Sequence, residues 1–130
     1  MRVQPWSMFA VFVGAGAGAL CRWWLGLLFN PVFPTVPLGT LAANLSGGLV
    51  MGLAMAVFEQ FPAIPPATRL LVTTGFLGGL TTFSTFSAET SLLLLRQQFG
   101  WTAVLVAVHV IGSVLCTLAG IWLVRAATQA

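Results

Sequence analysis

Four apolar stretches divide this chain, at 6–29, 37–58, 67–95 and 101–124, and each is long enough to cross a lipid bilayer as a helix. The second, at about 1.5 Å per residue, would rise about 33 Å. Short polar or proline-bearing breaks separate them: Asn30-Pro31-Val32-Phe33-Pro34, then Glu59-Gln60-Phe61-Pro62 with Pro65-Pro66, then Arg96-Gln97-Gln98-Phe99-Gly100. Proline cannot continue a helix, so the first two breaks are firm stops. Charged residues make up only 5% of the chain, where soluble domains carry about 25%. The pattern predicts an all-α integral membrane protein, with residues 1–130 forming one four-helix transmembrane domain.

Ala15-Gly16-Ala17 resembles a signal-peptide cleavage site, yet the apolar run continues to Phe29. That is too long for a signal h-region, so the expectation is a retained span with nothing removed. An even number of spans places both termini on one side. Arg2, Arg69 and Arg125 then share that side, with Arg96 opposite and Arg22 near the opposite end of the first span. So small an excess fits one fixed orientation or insertion both ways. Trp6, Trp23, Trp24, Trp101 and Trp122 lie toward span ends, where amphipathic rings favour the interface.

A net charge of +3, from five Arg against two Glu, is too small and too scattered for a nucleic-acid surface. Cys21 and Cys116 fall inside apolar spans and read as buried small hydrophobes, not as a disulfide or metal pair. No ATP-binding motif or covalent nucleophile is present, which argues against an enzyme.

Residues 73–89, TTGFLGGLTTFSTFSAE, break the apolar pattern of the third stretch. Gly75, Gly78 and Gly79 are poor helix-interior residues, each costing about 1 kcal/mol relative to Ala. Thr73, Thr74, Thr81, Thr82, Ser84, Thr85 and Ser87 add hydroxyls that lipid does not call for. The sequence predicts a helix broken near its middle, unwound around Gly78 to Thr81, lining a polar path. Freed carbonyls there must be satisfied within protein or by an ion. Such carbonyls suit a cation, while half-helix amino termini suit anions.

Small residues recur at close-packing spacing: Gly14 with Gly18, Gly48 with Gly52, and Gly112, Cys116, Gly120. Asn44 shares a face with the second pair and offers two donors and an acceptor; a helix–helix hydrogen bond and a role in a path both remain open. His109, Ser113 and Thr117 stack at i, i+4, i+8 as a polar stripe. Phe83 and Phe86, at i, i+3, either pack or present the positive ring edge to a small anion. Arg22 is the deepest cation, set to snorkel, to draw an anion, or to bond the carbonyls of a neighbouring loop. Four spans leave little room for a path within one subunit, so the polar residues are expected at an interface between two copies.

These segments resemble the microbial fluoride channels of the Fluc or CrcB type. The likeness is carried by Gly14 to Arg22 with Trp23, by Pro37-Leu38-Gly39-Thr40 leading to Ala43-Asn44-Leu45, and above all by Thr74 to Glu89. The resemblance implies an antiparallel, dual-topology homodimer in the plasma membrane with two fluoride pores along the subunit contact. It implies that Asn44 donates to the ion, that Phe83 and Phe86 present ring edges, and that His109, Ser113 and Thr117 form the fourth-span track. It also implies a structural sodium ion on the two-fold axis, held by the backbone carbonyls of Gly78 and Thr81 from both subunits. Arg22 and Glu89 match charged positions of the family, as vestibule or structural charges. The Ser84 hydroxyl joins the expected pathway as a further donor. Competing readings are a proton-coupled small multidrug exporter, for which Glu89 is the available deep carboxylate, and a non-transporting membrane protein whose glycine faces merely pack.

Overall fold

The computed structural model describes residues 3–130, and every regular element among them is helical. Arg2 lies outside the described residues. Helix α1, Pro5–Phe29, starts with proline in its first turn, where no amide hydrogen is needed. A single 3₁₀ turn, Asn30–Val32, ends it. Helix α2, Leu38–Gln60, has no cap from its own first residues. Its exposed amides are met from outside: Asn30 Oδ1 accepts from Gly39 N at 2.8 Å and Thr40 N at 3.1 Å.

The third stretch is not one helix. Residues 66–80 form a continuous rod made of α3, Pro66–Leu70, a π-helical segment, Leu71–Leu77, and α4, Gly78–Leu80. Thr81 and Thr82 are extended, and α5, Phe83–Leu95, begins after them. The break thus takes in Thr81, the last residue of the predicted stretch, and Thr82 beyond it, while Gly78 and Gly79 remain helical. Gly79 stays helical because it serves contact: a Cβ there would collide with the Ala15 carbonyl of α1. Helix α6, Phe99–Gln129, runs past the expected end near residue 124, since no proline or glycine follows Gly120 to stop it.

Helices α1, with its 3₁₀ extension, α2 and α6 are long and apolar enough to cross a membrane. Glycine lets them approach through backbone. Side chains at Gly14 and Gly18 would overlap the Leu71 and Phe76 carbonyls of the π-helical segment. Across the other contact, Gly52 lies under the Thr117 carbonyl and Gly120 under the Leu49 carbonyl, zipping α2 to α6. Ala43, Leu77 and Leu80 form one buried cluster; Val36, Phe86, Leu93 and Leu105 form another, on either side of the break.

Polar groups mark the two ends. Arg69 donates to the carbonyls of Phe58, Phe61, Pro62 and Ile64, closing the turn after α2. Arg125 pairs with Glu59 at 3.4 Å, which puts Arg69 and Arg125 at the same end of the bundle. Cys21 and Cys116 are free thiols. Cys21 is exposed, so the burial predicted for it does not hold: α1 turns its Gly14–Gly18 face inward and Cys21 outward.

Candidate functional site: a polar groove at the helix break

Two extended residues would leave several backbone groups unpaired, and the local sequence supplies their partners. Thr82 caps α5, its Oγ1 accepting from Thr85 N at 3.1 Å. On the other side, Asn44 reaches across from α2. Its Oδ1 accepts from Thr82 N at 2.7 Å, and its Nδ2 donates to Thr82 O at 3.0 Å. The carboxamide therefore mimics a paired strand at the break. The second Nδ2 hydrogen meets His109 Nδ1 on α6, also at 3.0 Å.

These bonds divert the donors that a continuous helix would aim at two carbonyls. Thr82 N, which would close on Gly78 O, goes to Asn44; Thr85 N, which would close on Thr81 O, goes to the Thr82 hydroxyl. Arg22 donates from Nε to Gly79 O at 3.0 Å, a carbonyl of the helical turn just before the break. No group of His, Cys, Asp or Glu able to hold a metal occurs among the described residues.

Around the break lies an open groove of about 610 Å³. Asn44, Phe83, Phe86, His109, Ser113 and Thr117 all line it, as do Gly78 and Thr81. Ser84 does not; it is exposed, with its Oγ 3.3 Å from Thr82 Oγ1. The two phenylalanines differ sharply. Phe83 is 77% exposed, whereas Phe86 is buried with its ring 4.8 Å from that of His109. Their own centroids are 5.6 Å apart. The Thr117 hydroxyl donates to Gly48 O and Ser113 O, both at 3.0 Å, so it serves the α2–α6 contact as well as the groove. His109 Nε2 is buried without a partner, an arrangement that costs about 1–3 kcal/mol if nothing fills it.

Glu89 lies away from the groove. Its Oε1 accepts from Thr40 Oγ1 at 2.6 Å and its Oε2 is buried with no partner; the residue lines a small pocket of about 170 Å³ together with Pro34 and Arg96. Sequence reasoning gave no separate role to Thr40 or, more seriously, to Thr82, to which Asn44, Ser84 and Thr85 all bond. The signal for Thr82 was its residue type: a threonine placed between the glycines and a following helix is a preferred N-cap.

An all-helical membrane protein with a backbone break lined by hydroxyls, amide and aromatic rings is the class that these features define. The family described as CrcB-like protein, Camphor Resistance (CrcB), matches residues 9–121. The chain is 53% identical over 120 residues to a protein of Nitrosospira multiformis named fluoride-specific ion channel FluC, covering 92% of this chain and 94% of the relative. It is 54% identical over 121 residues to one of the same name from Burkholderia lata, covering 93% and 94%. A further relative of that name, from Tolumonas auensis, is 56% identical over 115 residues, covering 88% and 91%. The chain belongs to the CrcB family.

Proposed function

We propose that this protein conducts fluoride passively across the plasma membrane and so lowers cytoplasmic fluoride. In this reading residues 66–95 cross the bilayer as a fourth, broken span of one transmembrane domain. Two copies insert in opposite orientations and close their grooves against each other, forming two pores along the contact. The observation that carries the reading is the gathering, in one open groove, of Asn44, His109 and Ser113 with Phe83 and Phe86. The relatives' shared name, fluoride-specific ion channel FluC, supplies the ion.

Fluoride is small and strongly hydrated, so a pore must replace its water with donors held weakly enough to be left. The imidazole, the Ser113 hydroxyl and the edges of Phe83 and Phe86 are such donors, and the Thr117 hydroxyl becomes one when it leaves the carbonyls of Gly48 and Ser113. Ser84 stands outside the lining, exposed, with its hydroxyl shared with Thr82. The Asn44 amide joins them when it gives up one of its present bonds. No carboxylate lines the groove to repel an anion. Larger, less strongly hydrated chloride gains less from the same lining.

Gly78 O and Thr81 O, whose helical donors are diverted, are fitted to hold a cation; a sodium ion between the two copies would be bound there and lock the broken spans together. Arg22, bonded to Gly79 O, braces that segment and carries positive charge nearby. A proton-coupled exporter is not favoured, since Glu89 is tied to Thr40 outside the groove. No step of this account breaks or forms a covalent bond, so the protein is not an enzyme.

Growth tests the proposal in cells. Expression in bacteria lacking their own fluoride export is expected to restore growth in fluoride-containing medium. Continued arrest with the protein present in the membrane would contradict it.

A further inference from the structure

We propose that Asn44 is a positioning residue that fixes His109 as the neutral Nε2–H tautomer, so that the standing donor at the groove is the imidazole and not the carboxamide. The backbone of Thr82 decides the matter. Asn44 Oδ1 accepts from Thr82 N and Asn44 Nδ2 donates to Thr82 O. Turning the amide over would set hydrogen against hydrogen and oxygen against oxygen, so its orientation is determined. The remaining Nδ2 hydrogen meets His109 Nδ1 at 3.0 Å. A carboxamide nitrogen only donates, so Nδ1 accepts and carries no proton. The ring proton then sits on Nε2, and imidazolium is excluded while this bond stands, because in that form both nitrogens carry hydrogen.

The proton is thus placed by a chain of contacts from helix break to amide to ring. Nε2 is buried and unpartnered, on a side chain only 4% exposed, beside Phe86. An unmet N–H donor in so dry a place suits a small hydrogen-bond acceptor stripped of part of its water. That the acceptor is fluoride rests on the proposed function; the tautomer does not.

His109 is the one histidine of the chain, so isotopically labelled histidine reports on this ring alone. Nitrogen NMR of the full-length protein in lipid at neutral pH is expected to show the proton on Nε2. A proton on Nδ1, or on both nitrogens, overturns the proposal. In Asn44→Ala that still elutes as the wild type does, a mixture with Nδ1–H is expected; an unchanged tautomer overturns the role of Asn44. Added fluoride is expected to shift the Nε2–H resonance more than equal chloride does. Nε2–H that ignores fluoride, in a protein that passes no fluoride, supports the tautomer and overturns the donor role. For flux, glutamine carries its amide nitrogen near the place of Nε2 and asparagine near that of Nδ1. His109→Gln is therefore expected to pass fluoride at least about tenfold faster than His109→Asn, the scale of one buried hydrogen bond. Equal or reversed rates overturn the donor assignment.

Discussion

The side chain of Asn44 and the backbone of Thr82, 38 positions apart, exchange two hydrogen bonds, one in each direction. This pairing satisfies backbone groups that the interruption of the helix leaves without their own helical partners. It also ties α2 to the start of α5, while the remaining amide hydrogen adds α6 through His109. Asn44→Leu keeps the size and removes all of these bonds. It is expected to destabilise the fold by about 1–3 kcal/mol, chiefly through buried groups left unpaired. Denaturation in detergent measures it; wild-type stability would show that the pairing contributes nothing.

Phe83 and Phe86 share a spacing and differ in burial, which separates two roles. Phe83 is 77% exposed on the single chain, so Phe83→Ile removes no intrachain core contact of consequence. Its thermal stability is expected to equal the wild type's while fluoride flux is lost. Phe86 belongs to the buried cluster with Leu93 and Leu105. Phe86→Ala is expected to cost about 3–5 kcal/mol of stability, as large-to-small core changes do. Full flux in Phe83→Ile would remove the ring edge from the pathway.

Glycines that look alike in the sequence are expected to respond in opposite ways. A side chain at Gly18 would overlap the Phe76 carbonyl, so Gly18→Val is expected to prevent a monodisperse protein in size-exclusion chromatography. Nothing approaches a Cβ at Gly16. Gly16→Ala is expected to stabilise α1 by up to about 1 kcal/mol through helix propensity. Equal behaviour of the two variants would contradict the backbone contact between α1 and the π-helical segment.

Helix α5 ends on a strained residue. Gln97 has φ of 57°, with Gln97 N bonded to Leu94 O and Gln98 N to Leu93 O, the pattern of a Schellman cap. Glycine is the residue that this position favours. Gln97→Gly is expected to raise stability by about 0.5–1 kcal/mol, the relief of left-handed strain less the added freedom of the unfolded chain. A lower melting temperature would refute it.

Much of this was legible in the residues. Apolar length placed α1, α2 and α6, and the glycine pairs marked faces that do meet through backbone. The stripe of His109, Ser113 and Thr117 does line the groove. The exact break was not legible, because Gly78 and Gly79 carry two meanings, poor helix former and close-contact residue, and here contact prevails at Gly79 while the threonines that follow unwind. Nor did the apolar setting of Cys21 disclose its outward face, since in a membrane protein both faces of a helix are apolar. The hub role of Thr82 escaped notice because the partner that makes it one, Asn44, lies on another element 38 positions away.

Fluoride release from liposomes, read with an ion-selective electrode, tests the central claim most directly. Vesicles carrying the purified protein and loaded with fluoride and chloride, with potassium made permeable by an ionophore, are expected to empty their fluoride rapidly and retain their chloride, with no proton gradient imposed. Fluoride retained as in protein-free vesicles, or chloride leaving equally fast, would contradict it.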